Sequence, residues 1–285
     1  MIGWSGKLLS CEKTFLTNSR RALSPFYACG ELAWYLARSN SIEFIAHYAP
    51  QYLQFAEPDG TANGAYGYRI AHNSSEGDAL HLALKTISNS PESRQAVIAM
   101  WHPDDLKTAM LQKSKDLPCN VCWQFHLRDD VLHGCCYMRS NDVWLGMPYD
   151  IFVNTCILRM MADSLGARTG TYTHFVGSMH LYAKNYDAAF EALDQPLHLS
   201  PSHGWTDSSS LTISEIEIVE AEECLRKKQK AVHPAMVPSC VDNSLCSDVI
   251  QILADFNGHP IMWATVTSPL LRRGIETFLV NRKDK

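Results

Sequence analysis

Apolar residues recur at helical spacing in two parts of the first hundred residues. Residues 24–38 show this spacing and predict a helix that contains Glu31. Residues 79–90 show it again, and the turn-forming sequence Ser-Pro-Glu-Ser ends this second helix. Between the two helices, residues 57–64 combine Gly, Pro, Asp and Asn, which is typical of turns. The short apolar run 95–101 is typical of a buried strand.

The pattern changes to strand spacing after residue 120. Residues 121–127 alternate in the strand period, an Arg-Asp-Asp turn follows, and a second strand follows the turn, so we expect a hairpin. An amphipathic helix is predicted over 150–165, with Gly166 as its C-terminal cap. We predict the second hairpin strand over 132–138, a later strand over 171–182, a helix over 184–193 and a solvated helix over 217–231. Because strands and helices mix irregularly, we expect an α/β (α+β) fold with a mixed sheet, and a single domain over 1–285.

Composition narrows the possible function classes. Of the 285 residues, 46% are hydrophobic and 19% are charged, which is enough apolar content for a globular core. The formal net charge of -5 argues against direct nucleic-acid binding, which usually needs a basic face. No apolar run approaches the ~18 residues of a membrane helix, and the N-terminus lacks the pattern of a signal peptide. We therefore expect a cytoplasmic protein with no membrane partner.

The ten cysteines are irregularly spaced, and in a cytoplasmic protein most would be reduced thiols packed in the core. Cys119 and Cys122 form a C-x-x-C pair, for which zinc binding or dithiol redox chemistry is one interpretation. A structural zinc site needs two further ligands, and the sequence has no second C-x-x-C. If a strand begins at Cys119, the two side chains also point to opposite faces. We therefore expect no metal.

Cys119 lies in one of three sequence blocks whose order and spacing are informative. The blocks read Leu117-Pro-Cys-Asn-Val-Cys-Trp-Gln-Phe125, Tyr137-Met-Arg-Ser-Asn-Asp-Val-Trp-Leu-Gly-Met-Pro-Tyr-Asp-Ile151 and Gly177-Ser-Met-His-Leu-Tyr182. They resemble thymidylate synthase and its relatives, the deoxynucleotide hydroxymethylases, across residues 24–190. The resemblance implies a sheet-mediated homodimer, a pyrimidine nucleoside monophosphate as substrate and 5,10-methylenetetrahydrofolate as co-substrate. It also implies the cytoplasm of a bacterial or phage-infected bacterial cell.

Three residues match the catalytic machinery of that family. Carbon C5 of a pyrimidine is a weak nucleophile, and addition of a thiolate to C6 activates it, so covalent catalysis is required. Cys119 matches the family's nucleophile, whose pKa a nearby guanidinium can lower. Glu31 matches the general acid/base that organises water near the ring. Tyr66 matches a tyrosine that helps to remove the proton from C5.

Other matched residues would bind the two ligands. The resemblance assigns the nucleotide to Arg94, Arg139, Ser140, His180 and Tyr182. The two arginines suit phosphate oxygens because a guanidinium can bind them in a bidentate manner, and Arg94 would be lent by the neighbouring subunit of the homodimer. The histidine and the tyrosine would bind the sugar hydroxyl. The resemblance assigns the folate to Asp142, Tyr52 and Gly146.

Asp150 departs from the thymidylate synthase pattern, which has Asn at this position. A carboxylate accepts hydrogen bonds from both the N4 amine and a protonated N3 of cytosine, and its negative charge favours that protonated form. The alternative is a helix N-terminal cap, since the predicted helix begins at 150. Asn120 also replaces a histidine that organises water around O4 of uracil. Both changes favour a cytidylate, so the sequence resembles the deoxycytidylate (dCMP) hydroxymethylases.

Tyr52 is the second departure with a consequence for the product. An ungapped match of Phe55-Ala-Glu-Pro-Asp-Gly60 puts it where methylating enzymes have a Trp that shields the exocyclic methylene intermediate. A different side chain could admit water and so give 5-hydroxymethyl-dCMP and tetrahydrofolate. Reductive methylation to 5-methyl-dCMP, the corresponding reaction of CMP, and a non-catalytic nucleotide-binding homologue are the alternatives.

Overall fold

The computed structural model describes residues 1–12, 14–195, 215–227, 245–259, 266 and 268–283. Its strands are β1 (Ile2–Leu8), β2 (Val97–Ala99), β3 (Asn120–Arg128), β4 (Val131–Asp142) and β5 (Arg168–His180). Its helices are α1 (Pro25–Leu36), α2 (Ile42–Tyr48), α3 (Tyr66–His72), α4 (Ala79–Asn89), α5 (Pro103–Met110), α6 (Met147–Ser164), α7 (Tyr186–Leu193), α8 (Glu215–Arg226), α9 (Leu245–Phe256) and α10 (Pro269–Lys283). Short 3₁₀ helices cover Pro50–Phe55 and Ala183–Asn185.

The chain divides into two compact units. The first comprises Met1–Cys11, Trp34–Asn141 and Asn154–His180, and the second comprises Glu12–Ala33, Asp142–Val153 and Leu181–Lys285. The first unit contains the sheet, and the second contains most of α1 and the described helices after residue 185. The prediction of a single domain stays a prediction.

The five strands form one sheet in the order β1-β5-β4-β3-β2. The pairs β1–β5, β2–β3 and β3–β4 are antiparallel. Strand β5 runs alongside β4 in the same direction, since Gly170 lies against His133 and Gly177 lies against Arg139. The parallel pair requires a crossover, which α6 supplies. The predicted mixed-sheet α/β class is confirmed.

The hairpin of β3 and β4 was predicted from the sequence, and its turn explains its register. Asp129 and Asp130 both have positive φ, 49° and 57°. Two left-handed residues in a two-residue loop match the twist of the flanking strands, and Asp tolerates that conformation better than most residues. The turn lies at the far end of the hairpin from Cys119, which precedes β3.

The sheet has one buried and one partly exposed face in the first unit. Large side chains of the buried face include Trp123, Phe125, Leu132 and Met138. The half of α6 that belongs to this unit packs on this face, because a Cβ built on Gly134 would lie 3.2 Å from the Leu158 side chain. On the opposite face, which we call the outward face, Val97, Tyr137 and Phe175 are exposed.

The predicted surroundings of α6 and of the strand at 95–101 are wrong. The helix predicted as amphipathic, α6, is buried around nearly its whole circumference from Phe152 to Ala162, because it is a crossover helix with packing on all sides. It begins at Met147, so Asp150 lies in its first turn and is not the cap. The predicted buried strand at 95–101 is only β2, an edge strand in which Ile98 alone is buried. Gly166, at φ 64°, follows the end of α6 as predicted.

The C-terminal helices belong to the second unit. Helix α8 packs against α9 and is not simply solvated as predicted, since Ile218, Glu222 and Leu225 are buried. The Glu222 carboxylate pairs with Arg226 one turn later, at 2.7 Å. Residues 228–231 of the predicted helix lie outside the described residues. The predicted strand 171–182 ends at His180, and the predicted helix 184–193 consists of the second 3₁₀ helix and α7.

Among the described residues, no helix is long and apolar enough to cross a membrane. Nor do the described residues bring together three or more His, Cys, Asp or Glu side chains in a group that could hold a metal ion.

Candidate active site

Cys119 lies immediately before β3 and is half-buried. Its backbone N–H donates to the Tyr66 hydroxyl oxygen at 3.2 Å, and the N–H of Asn120 donates to the same oxygen at 3.2 Å. Its carbonyl oxygen accepts from the backbone N–H of Arg139 at 2.7 Å. The backbone of Cys119 is therefore fixed on both sides, which restricts where its thiol can lie.

Tyr66 is held in place by Tyr35, which lies against its ring and against the backbone of the next residue. It is the first residue of α3, and a Cβ on the next residue, Gly67, would lie 2.4 Å from the carbonyl oxygen of Tyr35. Its ring also packs edge-on against the Tyr35 ring, with centroids 5.5 Å apart. Only glycine at position 67 allows α3 to approach α1 this closely, and this approach aims the phenol at the backbone of Cys119.

Arg139 binds the loop that carries Cys119. Its Nε donates to the carbonyl of Pro118 at 2.9 Å and its Nη2 to the carbonyl of Leu117 at 3.0 Å. Its guanidinium also lies 5.6 Å from the centroid of the Trp101 ring. Carbonyls and an aromatic face orient the guanidinium without neutralising it, so the cation beside the Cys119 loop remains available to an anion.

Asp116 is a partly buried carboxylate of the same unit that the sequence did not single out. Its pKa is raised, first by burial, while the N–H of Gly64 and the charges of Arg69 and Arg139 oppose that rise. Its Oδ2 accepts from the Gly64 N–H at 3.0 Å. The contact ties the turn before Tyr66 to the segment that precedes Cys119.

Asn120 has no exposed surface, and neither its Oδ1 nor its Nδ2 has a hydrogen-bond partner among the described residues. A buried amide without partners costs about 1–3 kcal/mol per group, so natural proteins rarely keep one without a reason. Its position next to Cys119 makes an interaction with a bound ligand the simplest reason. The sequence pointed to this residue only as a departure from the family pattern.

Four further predicted residues lie in the first unit. The Ser140 hydroxyl is 3.5 Å from Nδ1 of His180, which brings the end of β5 to the end of β4. Arg94 is exposed, and its carbonyl accepts from the Gln124 side chain at 2.9 Å. Tyr52 lies in the first 3₁₀ helix, and its ring packs edge-on against Trp34, with centroids 6.0 Å apart.

Glu31 belongs to the second unit and is only 6% exposed. Its Oε1 accepts a hydrogen bond from the Tyr27 hydroxyl at 2.6 Å, one helical turn earlier in α1. The Tyr27 ring packs edge-on against Tyr149, with centroids 4.6 Å apart. A carboxylate held by a short hydrogen bond in an aromatic surrounding can take up and release a proton away from bulk water.

Asp142 begins a compact turn that leads into α6. Its Oδ1 accepts from the backbone N–H groups of Trp144 at 2.7 Å and Leu145 at 2.9 Å. Its carbonyl accepts from Gly146, and the Gly146 carbonyl accepts from Asp150 at 3.0 Å. Asp142 and Gly146 therefore set the start of the helix on which Asp150 lies, half-buried, in the first turn.

The second carboxylate oxygen of Asp142, Oδ2, is suited to bind a folate. Oδ2 is buried and has no hydrogen-bond partner among the described residues. A buried acceptor in this state fits a ligand that presents N–H donors, as a pterin ring does. The residues present are therefore compatible with a folate at Asp142.

Arg21 and Tyr149 were missed by the sequence analysis and contact this turn. Arg21 donates to the carbonyl of Trp144, and its guanidinium lies 5.5 Å from the centroids of the Trp144 and Tyr149 rings. Burial lowers the pKa of Arg21, against the opposing effects of Tyr149 and Asp142. Burial likewise raises the pKa of Tyr149. Arg21 lies before the stretch that resembles the family, so no motif marked it.

The predicted site residues thus fall into two sets. The first unit contains Cys119, Tyr66, Tyr52, Arg94, Arg139, Ser140 and His180, and the second contains Glu31, Asp142, Gly146, Asp150 and Tyr182. Within the first set, contacts join Cys119 with Tyr66 and Arg139, and Ser140 with His180. Within the second set, contacts join Asp142, Gly146 and Asp150. Tyr182 is 53% exposed.

A family model described as thymidylate synthase matches residues 10–227 of the chain. The chain belongs to the thymidylate synthase family. The thermostable thymidylate synthase A from Bacillus subtilis is similar in structure, with a TM-score of 0.60 at 24% sequence identity over 69% of this chain and 70% of that chain. At that identity the likeness shows the fold, which agrees with the mixed sheet packed with helices.

Membership of the thymidylate synthase family makes the protein a one-carbon transferase. The family implies a folate-dependent transfer to a pyrimidine nucleotide, with methylenetetrahydrofolate as the co-substrate. The family match also extends to residue 227, past the segment near residue 200 beyond which the sequence showed no resemblance.

Proposed function

We propose that this member of the thymidylate synthase family converts dCMP, 5,10-methylenetetrahydrofolate and water to 5-hydroxymethyl-dCMP and tetrahydrofolate. The observation that carries the choice of a cytidylate is Asp150, which stands where thymidylate synthases have Asn. Its place in the first turn of α6, and not at the cap, supports a role beyond helix capping.

The charge of Asp150 suits cytosine and opposes uracil. Cytosine offers the N4 amine as a donor, and N3 becomes a second donor once it is protonated. A carboxylate accepts from both and stabilises the protonated ring, which is more easily attacked at C6. Uracil presents the O4 acceptor, which a carboxylate would repel. The buried amide of Asn120, beside the nucleophile, offers a further donor and acceptor for the base.

Cys119 is the nucleophile of the proposed reaction. Its thiolate adds to C6, and C5 then attacks the one-carbon unit that the folate co-substrate supplies at the oxidation level of formaldehyde. Loss of the C5 proton and departure of tetrahydrofolate leave an exocyclic methylene. Water adds to this methylene, and the thiolate leaves C6 as the pyrimidine double bond re-forms. Glu31 and Tyr66 would carry the protons.

Arg139 supports this mechanism because it combines two functions at one place. Its contacts to the carbonyls of Leu117 and Pro118 keep a positive charge beside the loop of Cys119. Such a charge favours the thiolate and also attracts the nucleotide phosphate. Ser140 would assist at the phosphate, while His180 and Tyr182 would bind the sugar.

Tyr52 is the residue on which the choice of hydroxymethyl over methyl depends. Its ring packs on Trp34, and it stands where methylating enzymes carry the Trp that shields the intermediate from water. A smaller ring at this position favours entry of water, so tetrahydrofolate leaves unoxidised. The alternative with a specific prediction is reductive methylation, which would give 5-methyl-dCMP and dihydrofolate.

A homodimer would complete the site. The outward face of the sheet exposes Val97, Tyr137 and Phe175, which is the kind of apolar surface that association covers. Arg94 lies three residues before β2 at the edge of this sheet and is exposed, so its side chain can reach a ligand of a second copy. In this arrangement it would bind the partner's phosphate.

The test is to incubate the protein with methylenetetrahydrofolate and dCMP, CMP or dUMP in turn, and to determine the product mass and the folate product. We expect dCMP to gain CH₂O without formation of dihydrofolate. A gain of CH₂ with dihydrofolate would make the protein a methylase, and product from dUMP alone would contradict the role of Asp150. Absence of both turnover and folate-dependent exchange of the C5 hydrogen would point to a non-catalytic nucleotide-binding protein.

Replacement of Cys119 tests the mechanism directly. Cys119→Ser should lower turnover by several orders of magnitude, because an alcohol is a far weaker nucleophile, while nucleotide affinity by calorimetry stays within a few fold of the wild type. Cys122→Ser is the matched control and should remain active; burial raises the pKa of that thiol. An active Cys119→Ser variant would refute covalent catalysis by this residue.

A further inference from the structure

A chain of hydrogen bonds runs through the interior of the first unit and joins α6, β5 and β4. The Asn154 side-chain amide donates to the Tyr172 hydroxyl at 2.8 Å. That hydroxyl lies 2.7 Å from Nδ1 of His174, and Nε2 of His174 lies 2.9 Å from Oδ1 of Asn141. All four side chains are between 2% and 5% exposed. We call these four residues the relay.

The donors and acceptors of the relay fit one arrangement of protons. The amide nitrogen of Asn154 can only donate, so the Tyr172 oxygen accepts from it and donates its own proton to Nδ1 of His174. The proton of His174 then lies on Nε2 and is donated to Asn141. A neutral imidazole satisfies every contact, so each bond in the series depends on the orientation of the next one.

The two ends of the relay have a distinctive place in the chain. Asn141 is the residue at which the chain leaves the first unit, and Asn154 is the residue at which it returns. The intervening segment 142–153 contains the turn of Asp142 and the first turn of α6 with Asp150. The relay therefore joins both ends of this segment to the same two residues of β5.

We propose that Tyr172 and His174 are positioning residues: through Asn141 and Asn154 they fix both ends of segment 142–153, and so place its two aspartates for the reaction. The inference rests on the proposed function. Neither residue touches a ligand in this scheme. Their effect on the reaction is carried by the backbone on either side of the segment.

A polar relay suits this task better than an apolar contact would. Apolar side chains of similar shape tolerate small shifts, whereas a shift in the relay leaves buried polar groups without partners. The penalty selects one spacing between Asn141 and Asn154. Such selection matters because a misplacement of ~1 Å in catalytic groups can reduce a rate by roughly a hundredfold.

Tyr172→Phe interrupts the relay by removal of one oxygen atom and preserves the ring. We expect kcat with the preferred nucleotide to fall about tenfold or more, and KM for both nucleotide and folate to rise, because the segment that binds both is less well placed. Hydrogen–deuterium exchange should be faster in 142–153 of the ligand-free protein. The β3–β4 turn should exchange at the wild-type rate.

Ile87→Val is the matched control, since Ile87 is fully buried in α4 of the same unit and the change also removes only one heavy atom. It should lower the melting temperature by an amount similar to that of Tyr172→Phe, and leave kcat, KM and exchange in 142–153 unchanged. If Ile87→Val reduces kcat equally, or Tyr172→Phe leaves it unchanged, the relay is structural only and the inference is wrong.

The double variant Tyr172→Phe/His174→Gln provides a second test of the relay, through the coupling between the two residues in kcat. Residues that act in series should show strong coupling, with a double variant no worse than the more severe single variant; additive losses would contradict the relay. Exchange in 142–153 requires no substrate, so it also separates the two hypotheses. Faster exchange in Tyr172→Phe, together with turnover of a nucleotide other than dCMP by the wild type, would refute the proposed substrate and support the relay. Unchanged exchange in Tyr172→Phe, in a protein whose wild type hydroxymethylates dCMP, would support the proposed substrate and refute the relay.

Discussion

Asp150 and Asn120 are the single residues through which the proposed activity would depart from the chemistry of the shared scaffold. Both stand where the resemblance placed a different side chain, and both were found from the sequence alone. The sequence could not show that the Asn120 amide is buried without partners, because hydrogen bonding inside a core depends on tertiary packing. The two residues therefore carry separate predictions.

Asp150→Asn should change the preferred base. The amide can donate to O4 of uracil, which the carboxylate cannot, so the ratio of kcat/KM for dCMP to that for dUMP should fall by about a hundredfold or more. Steady-state kinetics with both nucleotides measures this ratio. Asp163→Asn, near the other end of α6, is the control and should leave the ratio unchanged. An unchanged preference in Asp150→Asn would remove the basis for a cytidylate.

Asn120→Leu should separate stability from activity. The change replaces a buried amide that lacks partners with an apolar group of similar shape, so the free energy of unfolding should stay the same or rise by about 1 kcal/mol. Nucleotide affinity and kcat should both fall, because the base loses a hydrogen-bonding partner. Thermal unfolding and calorimetry measure the two effects. A marked loss of stability would show that the amide has a structural role.

Among the secondary-structure elements, local patterns were sufficient where a single segment determines its own conformation. Helices α1 and α4, the β3–β4 hairpin and the end of α6 at Gly166 were all predicted. The full burial of α6 and the exposure of β2 were not, because both depend on which elements lie next to them. Arg21 and the relay were missed for the same reason, since their partners are far away in the sequence.

The outward face of the sheet predicts a pH-dependent homodimer. His126 and His133 are directly opposite each other on β3 and β4, and the pKa of each is lowered, first by burial and then by nearby cations, which for His133 are Lys7 and Arg128. As the pH falls below the ordinary histidine value of about 6.5, protonation adds positive charge to this face. The proposed homodimer should therefore weaken as the pH falls from neutral to below about 6.5.

Analytical ultracentrifugation across this pH range measures the dissociation constant of the dimer. In His126→Gln the acid-induced weakening should be smaller, because one of the two titrating groups is removed. His81→Gln, an exposed change in α4, should behave like the wild type. A dimer constant that does not change with pH would show that these histidines lie outside the interface.

At the scale of the whole molecule, the chain passes from one unit to the other five times, after Cys11, Ala33, Asn141, Val153 and His180. No single cut separates the units, so their folding is covalently coupled. This interleaving could not be predicted from the sequence, because no composition change or linker marks any of the crossings. The crossings depend on long-range contacts that a single sequence does not display.

Global stability should depend on pH through His174. Burial lowers the pKa of His174 to about 4, so the folded protein favours the neutral ring. Its contribution is complete above the ordinary value of about 6.5, decreases as the pH falls from there to about 4, and amounts to roughly 3 kcal/mol. Urea unfolding at pH 7, 5 and 4 should show a shallower loss in His174→Gln than in wild type or His81→Gln. Equal losses would mean that His174 does not titrate in this range.

The backbone hydrogen bond between Arg139 and Cys119 also has a consequence for substrate length. It joins the backbones of the proposed nucleophile and of the proposed phosphate-binding arginine, so it limits how far the distance between the two residues can change when a ligand binds. A restricted distance between these two residues would select ligands by the distance from pyrimidine C6 to the 5′-phosphate. The enzyme should therefore discriminate against nucleosides, which lack the phosphate that Arg139 would bind. It should also discriminate against nucleoside triphosphates, whose further phosphates extend beyond this arginine.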